Sequence, residues 1–275
     1  QVCCSRKLTR TSSSLIMCAL IPELTSQIQH PHWKERKAAV EDLADAVEQA
    51  TCEADCSAAL AMLLDLAADS SSWVRDAAVR SIPRAACSTA CGSSIQRGLE
   101  VVASALEDED CWVRQAAAES LPLLVAGAGV DVQHHAVHLV ARSFVADSWQ
   151  ARQAALNAIT LLAPSNEPEV VERVVSLTRD GEFPVREAAL RALAQVARRG
   201  EPLAINAAGA ALSDAEWFVR EAALHALGAM TAYAGDGVHG PSGATLDAVA
   251  EMAAAMEDDE DWYVRQAAFK VTSQL

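Results

Sequence analysis

Residues 73–79 read Trp-Val-Arg-Asp-Ala-Ala-Val, and closely similar stretches recur along the chain. In each copy an aromatic residue is separated by one or two residues from an arginine, which one polar residue and two alanines follow. All six tryptophans of the chain lie in these copies. Self-similarity at a spacing of 34 to 45 residues predicts copies of one supersecondary unit that stack to bury a shared core. The seven central arginines are Arg36, Arg75, Arg114, Arg152, Arg186, Arg220 and Arg265.

The residues that follow each arginine have the period of a helix. In the second copy, apolar side chains recur at Ala77, Ala78, Val79 and Ile82. This spacing places them on one side of a helix, whereas the positions one and five after the arginine are mostly polar. A second apolar helix precedes the motif in several copies, with an acidic stretch between the two. We therefore predict a repeat made of helix A, an acidic turn and helix B.

An aspartate precedes most of the arginines at a constant interval. Five arginines have an aspartate six residues upstream, whereas Asp147 lies five before Arg152 and His30 takes this place before Arg36. The pattern resembles the HEAT motif, most closely the short HEAT-like repeats of the phycobilin lyases. The resemblance implies an all-α fold, a right-handed α-solenoid of about seven two-helix repeats, with an aspartate–arginine ladder between successive turns. The residues to which we assign this ladder are Asp69, Arg75, Asp108, Arg114, Asp180, Arg186, Asp214, Arg220, Asp259 and Arg265.

The motifs also set the predicted domain organisation. We expect an N-terminal arm over residues 1–11 and a single solenoid over 12–275. Pro83 and Pro122 fall inside the second and third B helices, and we expect them to kink or shorten those helices because proline lacks a backbone donor. A glycine-rich insertion over 234–243 accounts for the longest spacing between arginines. The units are placed near 12–50, 51–90, 91–128, 129–164, 165–199, 200–235 and 236–275.

The formal net charge of −15 limits the classes of partner. Phosphate binding needs a basic face, so nucleic acid and anionic membrane surfaces are unfavourable partners. No apolar run reaches the roughly 20 residues that a membrane-spanning helix needs. The acidic surface favours a protein partner that carries basic patches.

All eight cysteines lie in the first 111 residues. Cys52 and Cys56, together with Cys87 and Cys91, precede helix A in neighbouring repeats, which leaves a four-thiolate zinc site open. A disulfide is a second alternative. The usual zinc spacing is tighter, however, and cysteine is also a common small buried residue. We favour cysteines that pack in the helices, no bound metal, and a reducing intracellular compartment, either cytoplasm or an organelle.

Other candidate sites have simpler structural explanations. His134 and His138 are four residues apart, a spacing that some zinc enzymes use on a helix, but the chain contains no His-Glu dipeptide and exposed histidines are favoured. The acidic turns at 107–110 and 257–261 lack the ligand pattern of a calcium loop and are explained by helix capping. No phosphate loop, nucleophile elbow or Cys–His catalytic pattern is present. We therefore expect neither catalysis nor a cofactor.

The tryptophans at the start of the B helices allow two interpretations. We favour packing in the turns between repeats. The alternative is an exposed aromatic ridge, which would be a hot spot for binding.

We predict a non-catalytic protein-binding scaffold or assembly subunit. In HEAT arrays helix B lines the concave face, so its polar positions would contact the partner. The resemblance also supports an alternative, a phycobilin lyase-like subunit or chaperone for bilin attachment. A HEAT-like DNA glycosylase needs a basic groove, which the net charge disfavours. The candidate partner-binding residues are Lys37, Arg80, Glu119, Glu187, Arg191, Glu221, His225 and Lys270.

Overall fold

The computed structural model describes residues 23–49, 53–86, 94–162, 167–232 and 241–275. Within these ranges the chain is helical and contains no strand, so the predicted all-α repeat fold is confirmed. The contacts divide the chain into two compact units, the first ending at Ala126 and the second running from Gly127 to Leu275. The predicted arm over 1–11 lies outside the described residues, and the single solenoid over 12–275 stays a prediction.

The first unit consists of a row of B helices with A helices packed against it. The B helices α1, α3 and α5 contact one another in sequence order, α2 packs between α1 and α3, and α4 packs on α3 and α5. A short helical segment over 23–28 precedes α1, and a 3-10 turn over Ala105–Glu107 extends α4. The helices are α1 (Trp33–Gln49), α2 (Glu53–Leu66), α3 (Ser72–Ala86), α4 (Ser94–Ser104) and α5 (Cys111–Val125).

The second unit repeats this arrangement with four B helices. The B helices α7, α9, α11 and α13 contact one another in order, and each packs against the A helix that precedes it. A 3-10 turn over Ser143–Val145 extends α6. The helices are α6 (Val130–Arg142), α7 (Trp149–Leu161), α8 (Pro168–Leu177), α9 (Phe183–Val196), α10 (Pro202–Ala211), α11 (Trp217–Thr231), α12 (Gly243–Ala254) and α13 (Trp262–Thr272).

Small side chains form the contact between successive B helices. In the second repeat Val74, Ala78, Val79 and Ile82 are all fully buried. Of the four positions that the helical period predicted, Ala78, Val79 and Ile82 are thus buried and Ala77 is half-buried. Because alanine adds little bulk, neighbouring helices approach closely and stack in thin layers. Burial of such side chains contributes about 25 cal/mol per Å² of apolar surface.

The two prolines, which we expected to kink or shorten their helices, do not end them. Both α3 and α5 continue for three residues beyond the proline, to Ala86 and Val125. Pro83 removes the N–H group that would bond the carbonyl of Val79 four residues earlier. The buried hydroxyl of Ser120 on α5 donates to this carbonyl over 3.2 Å. A neighbouring helix thus supplies the donor that the proline lacks.

Candidate protein-binding site

Each central arginine is anchored first to the turn of its own repeat. Arg75 Nη1 donates to the carbonyl oxygens of Asp69, at 3.0 Å, and Ser70, at 3.4 Å. The interval of six residues noted in the sequence is therefore bridged by main-chain carbonyls. The same pair of bonds, to residues six and five positions upstream, is made by Arg36, Arg114, Arg152, Arg186, Arg220 and Arg265.

The aspartate carboxylate bonds the arginine of the preceding repeat. Arg75 Nε and Nη2 donate to the two carboxylate oxygens of Asp108 over 2.7 and 2.8 Å. Such a bidentate pair fixes the orientation of both side chains. Arg36 and Arg152, which the assigned ladder left out, take part in the same way. The five pairs are Arg36–Asp69, Arg75–Asp108, Arg152–Asp180, Arg186–Asp214 and Arg220–Asp259.

Each ladder aspartate also holds its own turn. Asp259 Oδ1 accepts the backbone N–H of Asp261 over 2.8 Å, and its carboxylate accepts two bonds from Arg220. The Arg220 hydrogen bonds, more than any other contact, hold the pKa of Asp259 below its ordinary value. The Arg220–Asp259 pair therefore stays ionised at neutral pH.

The last arginine of each unit differs from the others. Arg114 and Arg265 donate to the two main-chain carbonyls of their turns. Among the residues that the structure describes, neither forms an ion pair with a carboxylate. Both had been assigned to the ladder, so the structure places them beside it rather than in a pair.

The tryptophans do not all pack in the turns. Trp73, Trp112 and Trp262 are 55%, 60% and 56% exposed, so the favoured interpretation is wrong for these three. The valines at 74, 113 and 264 that precede the arginines are fully buried instead. Trp73 and Trp112 lie one position from their valines and point about 100° around the helix, and Trp262 lies two positions from Val264, about 200° around, which turns all three outward. The buried valine is the sequence signal that could have shown this.

A cavity of about 670 Å³ lies in the second unit between α7, α9 and α11. Its volume falls in the range of about 300–1,000 Å³ that is typical of ligand sites. Small alanines line the helix surfaces, and polar side chains surround them. The lining residues are Asn157, Thr160, Leu161, Arg191, Ala194, Gln195, Ala222, His225, Ala226 and Ala229.

The structure brings two of the candidate partner-binding residues together at this cavity. Arg191 and His225 both line it, and both side chains are more than half exposed. Glu187 bonds Arg191 over 2.5 Å, and Glu221 lies 3.8 Å from His225. Four of the eight candidates therefore lie at or beside one feature of the second unit.

The other candidates lie elsewhere. In the first unit Arg80 pairs with Glu119 over 2.6 Å and with Asp76 over 3.0 Å. The ammonium of Lys37 lies 5.9 Å from the centre of the Trp73 ring. Lys270 is exposed near the end of α13. Lys37 and Arg80 belong to the first unit, and Lys270 does not line the cavity at Arg191.

Among the described residues, no three or more His, Cys, Asp or Glu side chains are grouped so that they could hold a metal ion. His138 Nε2 lies 3.1 Å and His134 Nδ1 3.8 Å from the carboxylate of Glu167. Cys56 is buried and Cys111 exposed, while the other six cysteines lie outside the described ranges. In those ranges no helix has the length and apolar character that crossing a membrane requires.

Comparisons with known proteins agree with this fold. A family model described as HEAT repeats matches residues 136–228. A search of curated proteins found no match. The phycobilin lyase type of HEAT repeat stays a prediction.

Several solved structures share the repeat architecture. The chain is similar to the archaeal HEAT-like repeats protein from Thermococcus onnurineus NA1, with a TM-score of 0.57, 18% identity, and coverage of 92% of this chain and 96% of that one. An engineered protein has a TM-score of 0.54 at 16% identity, with 94% and 69% covered. Importin beta has a TM-score of 0.61 at 17% identity, and the match covers 93% of this chain but 36% of importin beta. At these identities the likeness shows the fold alone.

Proposed function

We propose that the chain is a non-catalytic scaffold or assembly subunit that binds a partner protein on the face of its B helices. The B-helix face is defined by the positions one and five after each central arginine, and in the second unit it includes the cavity. A HEAT-like fold serves many functions, so the proposal rests on the site and not on the fold.

The observation that carries the proposal is the cavity between α7, α9 and α11. Ala194 and Ala229 expose apolar surface there without filling the space, while the lining residues Ala222 and Ala226 are themselves buried. Asn157 and Gln195 offer both donors and acceptors beside them. An apolar centre with a polar, partly charged border is the usual anatomy of a protein interface.

The partner is expected to be basic. The net charge of −15 attracts cationic surfaces over long range and repels nucleic acid. At the cavity itself Glu187 and Glu221 stand beside Arg191 and His225, so both signs of charge are present. Mixed charges give an interface specificity and register more than affinity.

Affinity capture with charge-reversed variants tests the proposal. Tagged wild-type protein, Arg191→Glu and Arg173→Glu are used to capture partners, which are identified by mass spectrometry. Arg173 is the matched control, since it is exposed on the A helix α8 and does not line the cavity. We expect that wild type and Arg173→Glu capture the same partners and that Arg191→Glu fails to capture them.

Two further reversals map the extent of the surface. Arg80→Glu in the first unit and Lys270→Glu on α13 test the remaining basic candidates on the B-helix face. Partner recovery that is unchanged in all three reversals, at 80, 191 and 270, contradicts the proposal that this face binds the partner.

A further inference from the structure

A second cavity, of about 400 Å³, lies in the first unit between the starts of α3 and α5. Trp73 and Trp112 border it, and both are more than half exposed. Exposed tryptophan is uncommon on a surface without a binding role, because it leaves a large apolar area in water. The other lining residues are Ser72, Asp76, Arg80 and Asp110.

The preceding repeat already has a cation beside one of these tryptophans. Lys37 directly follows the central Arg36, and its ammonium lies 5.9 Å from the centre of the Trp73 ring. Trp33 and Trp73 stack with their ring centres 6.1 Å apart. In the next repeat the residue that follows the central arginine is Asp76, and it lines the cavity beside Trp112. The chain thus places a cation over one tryptophan and a carboxylate at the equivalent position beside the next.

The charges that line the cavity favour a cation. Asp110 Oδ1 accepts the backbone N–H of Trp112 over 2.9 Å. This bond, together with the hydroxyl of Ser72, holds the pKa of Asp110 below its ordinary value. Arg80 is the one basic residue in the lining, and Asp76 and Glu119 already pair with its guanidinium. Asp110 and the ring of Trp112 therefore remain for a further positive charge.

We propose that the cavity between Trp73 and Trp112 binds the side-chain cation, a lysine ammonium or an arginine guanidinium, of a basic segment of a partner protein. The tryptophan faces attract the cation through their quadrupoles, and Asp76 and Asp110 add charge attraction. The inference rests on the proposed function for its class of partner. It deepens that function because it gives the partner's basic patch a binding site in the first unit, where Asp76 and Arg80 of the B-helix face meet the exposed tryptophans.

Calorimetric titration of the full chain with synthetic peptides tests this inference. The probe is an acetylated octapeptide in which lysine and glycine alternate, and the comparison peptides carry norleucine or glutamate in place of lysine. Norleucine keeps much of the apolar side chain of lysine but lacks its charge. We expect the lysine peptide to bind at low ionic strength at least about tenfold more tightly than either comparison peptide.

Variants then place the binding on the chain. Trp112→Ala is expected to weaken binding of the lysine peptide about fivefold. Asp76→Lys introduces at this position the lysine that follows Arg36, and it should weaken binding about tenfold or more. Trp262→Ala is the matched control, since Trp262 is 56% exposed but lies in the second unit. It should leave the affinity unchanged, and circular dichroism confirms that each variant is folded.

The outcomes separate this inference from the proposed function. Equal affinity of the lysine peptide for wild type and folded Trp112→Ala overturns the inference, as does equal binding of the norleucine peptide. Peptide binding that Arg191→Glu abolishes and Trp112→Ala does not also overturns it, but leaves the B-helix face supported. Self-association that disappears in Trp112→Ala, without any response to peptide, assigns the cavity to a second copy of the chain and overturns the inference.

Discussion

The two compact units carry the same repeat but differ at the aromatic edge where their B helices begin. In the first unit Trp73 and Trp112 are each followed directly by the buried valine, and a cavity separates them. In the last two repeats of the second unit a further aromatic residue stands between tryptophan and valine. Phe218 lies 3.9 Å from Trp217 between ring centres, and Tyr263 lies 5.0 Å from Trp217.

One added aromatic residue in each of these two repeats thus changes the surface without changing the fold. In the second unit the rings stack on one another along the edge, with Phe183 and Phe218 5.9 Å apart as well. In the first unit no aromatic residue lies between Trp73 and Trp112, and a cavity separates the two rings. The arginine–aspartate ladder lies directly beside this edge and is alike in both units. Recognition can therefore vary at positions that the ladder does not use.

The largest expected effect comes from breaking the arginine–aspartate pairs, which occur in both units. Arg75→Met and Arg220→Met remove arginines that are each 7% exposed and leave Asp108 or Asp259 without its counter-charge. We expect each to lower the free energy of unfolding by about 3–5 kcal/mol, to a similar extent in both units. Urea unfolding followed by circular dichroism measures this.

The chain supplies its own control for that experiment. Arg114 holds the same position in its repeat but bonds main-chain carbonyls only, as far as the described residues show. Arg114→Met should therefore lower the free energy of unfolding by about 1–2 kcal/mol. An equal loss in Arg114→Met and Arg75→Met contradicts the view that the carboxylate pair is the main contribution.

The repeat was predictable from the sequence, but the ladder partners were not. The motif Arg-x-Ala-Ala determines which side of the helix is buried, and all of its residues lie within about one helical turn. The partner of Arg75 is Asp108, 33 residues away, and the pairing depends on how repeats stack rather than on the interval of six along the chain. The exposed tryptophans were missed because two adjacent apolar residues competed for one buried position, which Val74 and Val113 occupy.

The cavities could not be predicted from the sequence, for a related reason. The cavity of the second unit needs side chains from α7, α9 and α11 at once, and its volume depends on residues that are small. Periodicity identified Arg191 and His225 as exposed positions on one face. It carries no information on the distance between neighbouring helices, which decides whether a cavity forms.

A tryptophan substitution in each unit sharpens the comparison of the two edges. Trp217→Ala removes a ring that stacks on both Phe218 and Tyr263, and we expect a loss of about 3 kcal/mol in the free energy of unfolding. Trp112→Ala removes a ring that is 60% exposed, and a loss of about 1 kcal/mol is expected. Urea unfolding of both variants measures the difference. Equal losses would mean that stacking in the second unit adds no stability.

The smallest expected effect concerns a second difference between the units, the prolines of the first. Eight positions after the central arginine stand Pro83 and Pro122 in the first unit, but Ala194 and Gly228 in α9 and α11. Two positions before Pro122 stands Ser120, whereas Ala192 and Ala226 occupy the equivalent positions in those two helices. Ser120 thus stands beside a carbonyl that Pro83 leaves without its donor, whereas Ser81 holds the equivalent position in α3 although α1 has Ala44 in place of the proline.

A double-mutant cycle tests this pairing. Ser120→Ala leaves the carbonyl of Val79 buried without the 3.2 Å bond, and should lower the free energy of unfolding by about 1 kcal/mol. In a Pro83→Ala background residue 83 regains its N–H and can bond Val79 itself. There the same serine substitution is expected to have less than about half the effect, as measured by urea unfolding. A loss that is the same in both backgrounds would show that the hydroxyl contributes independently of the proline.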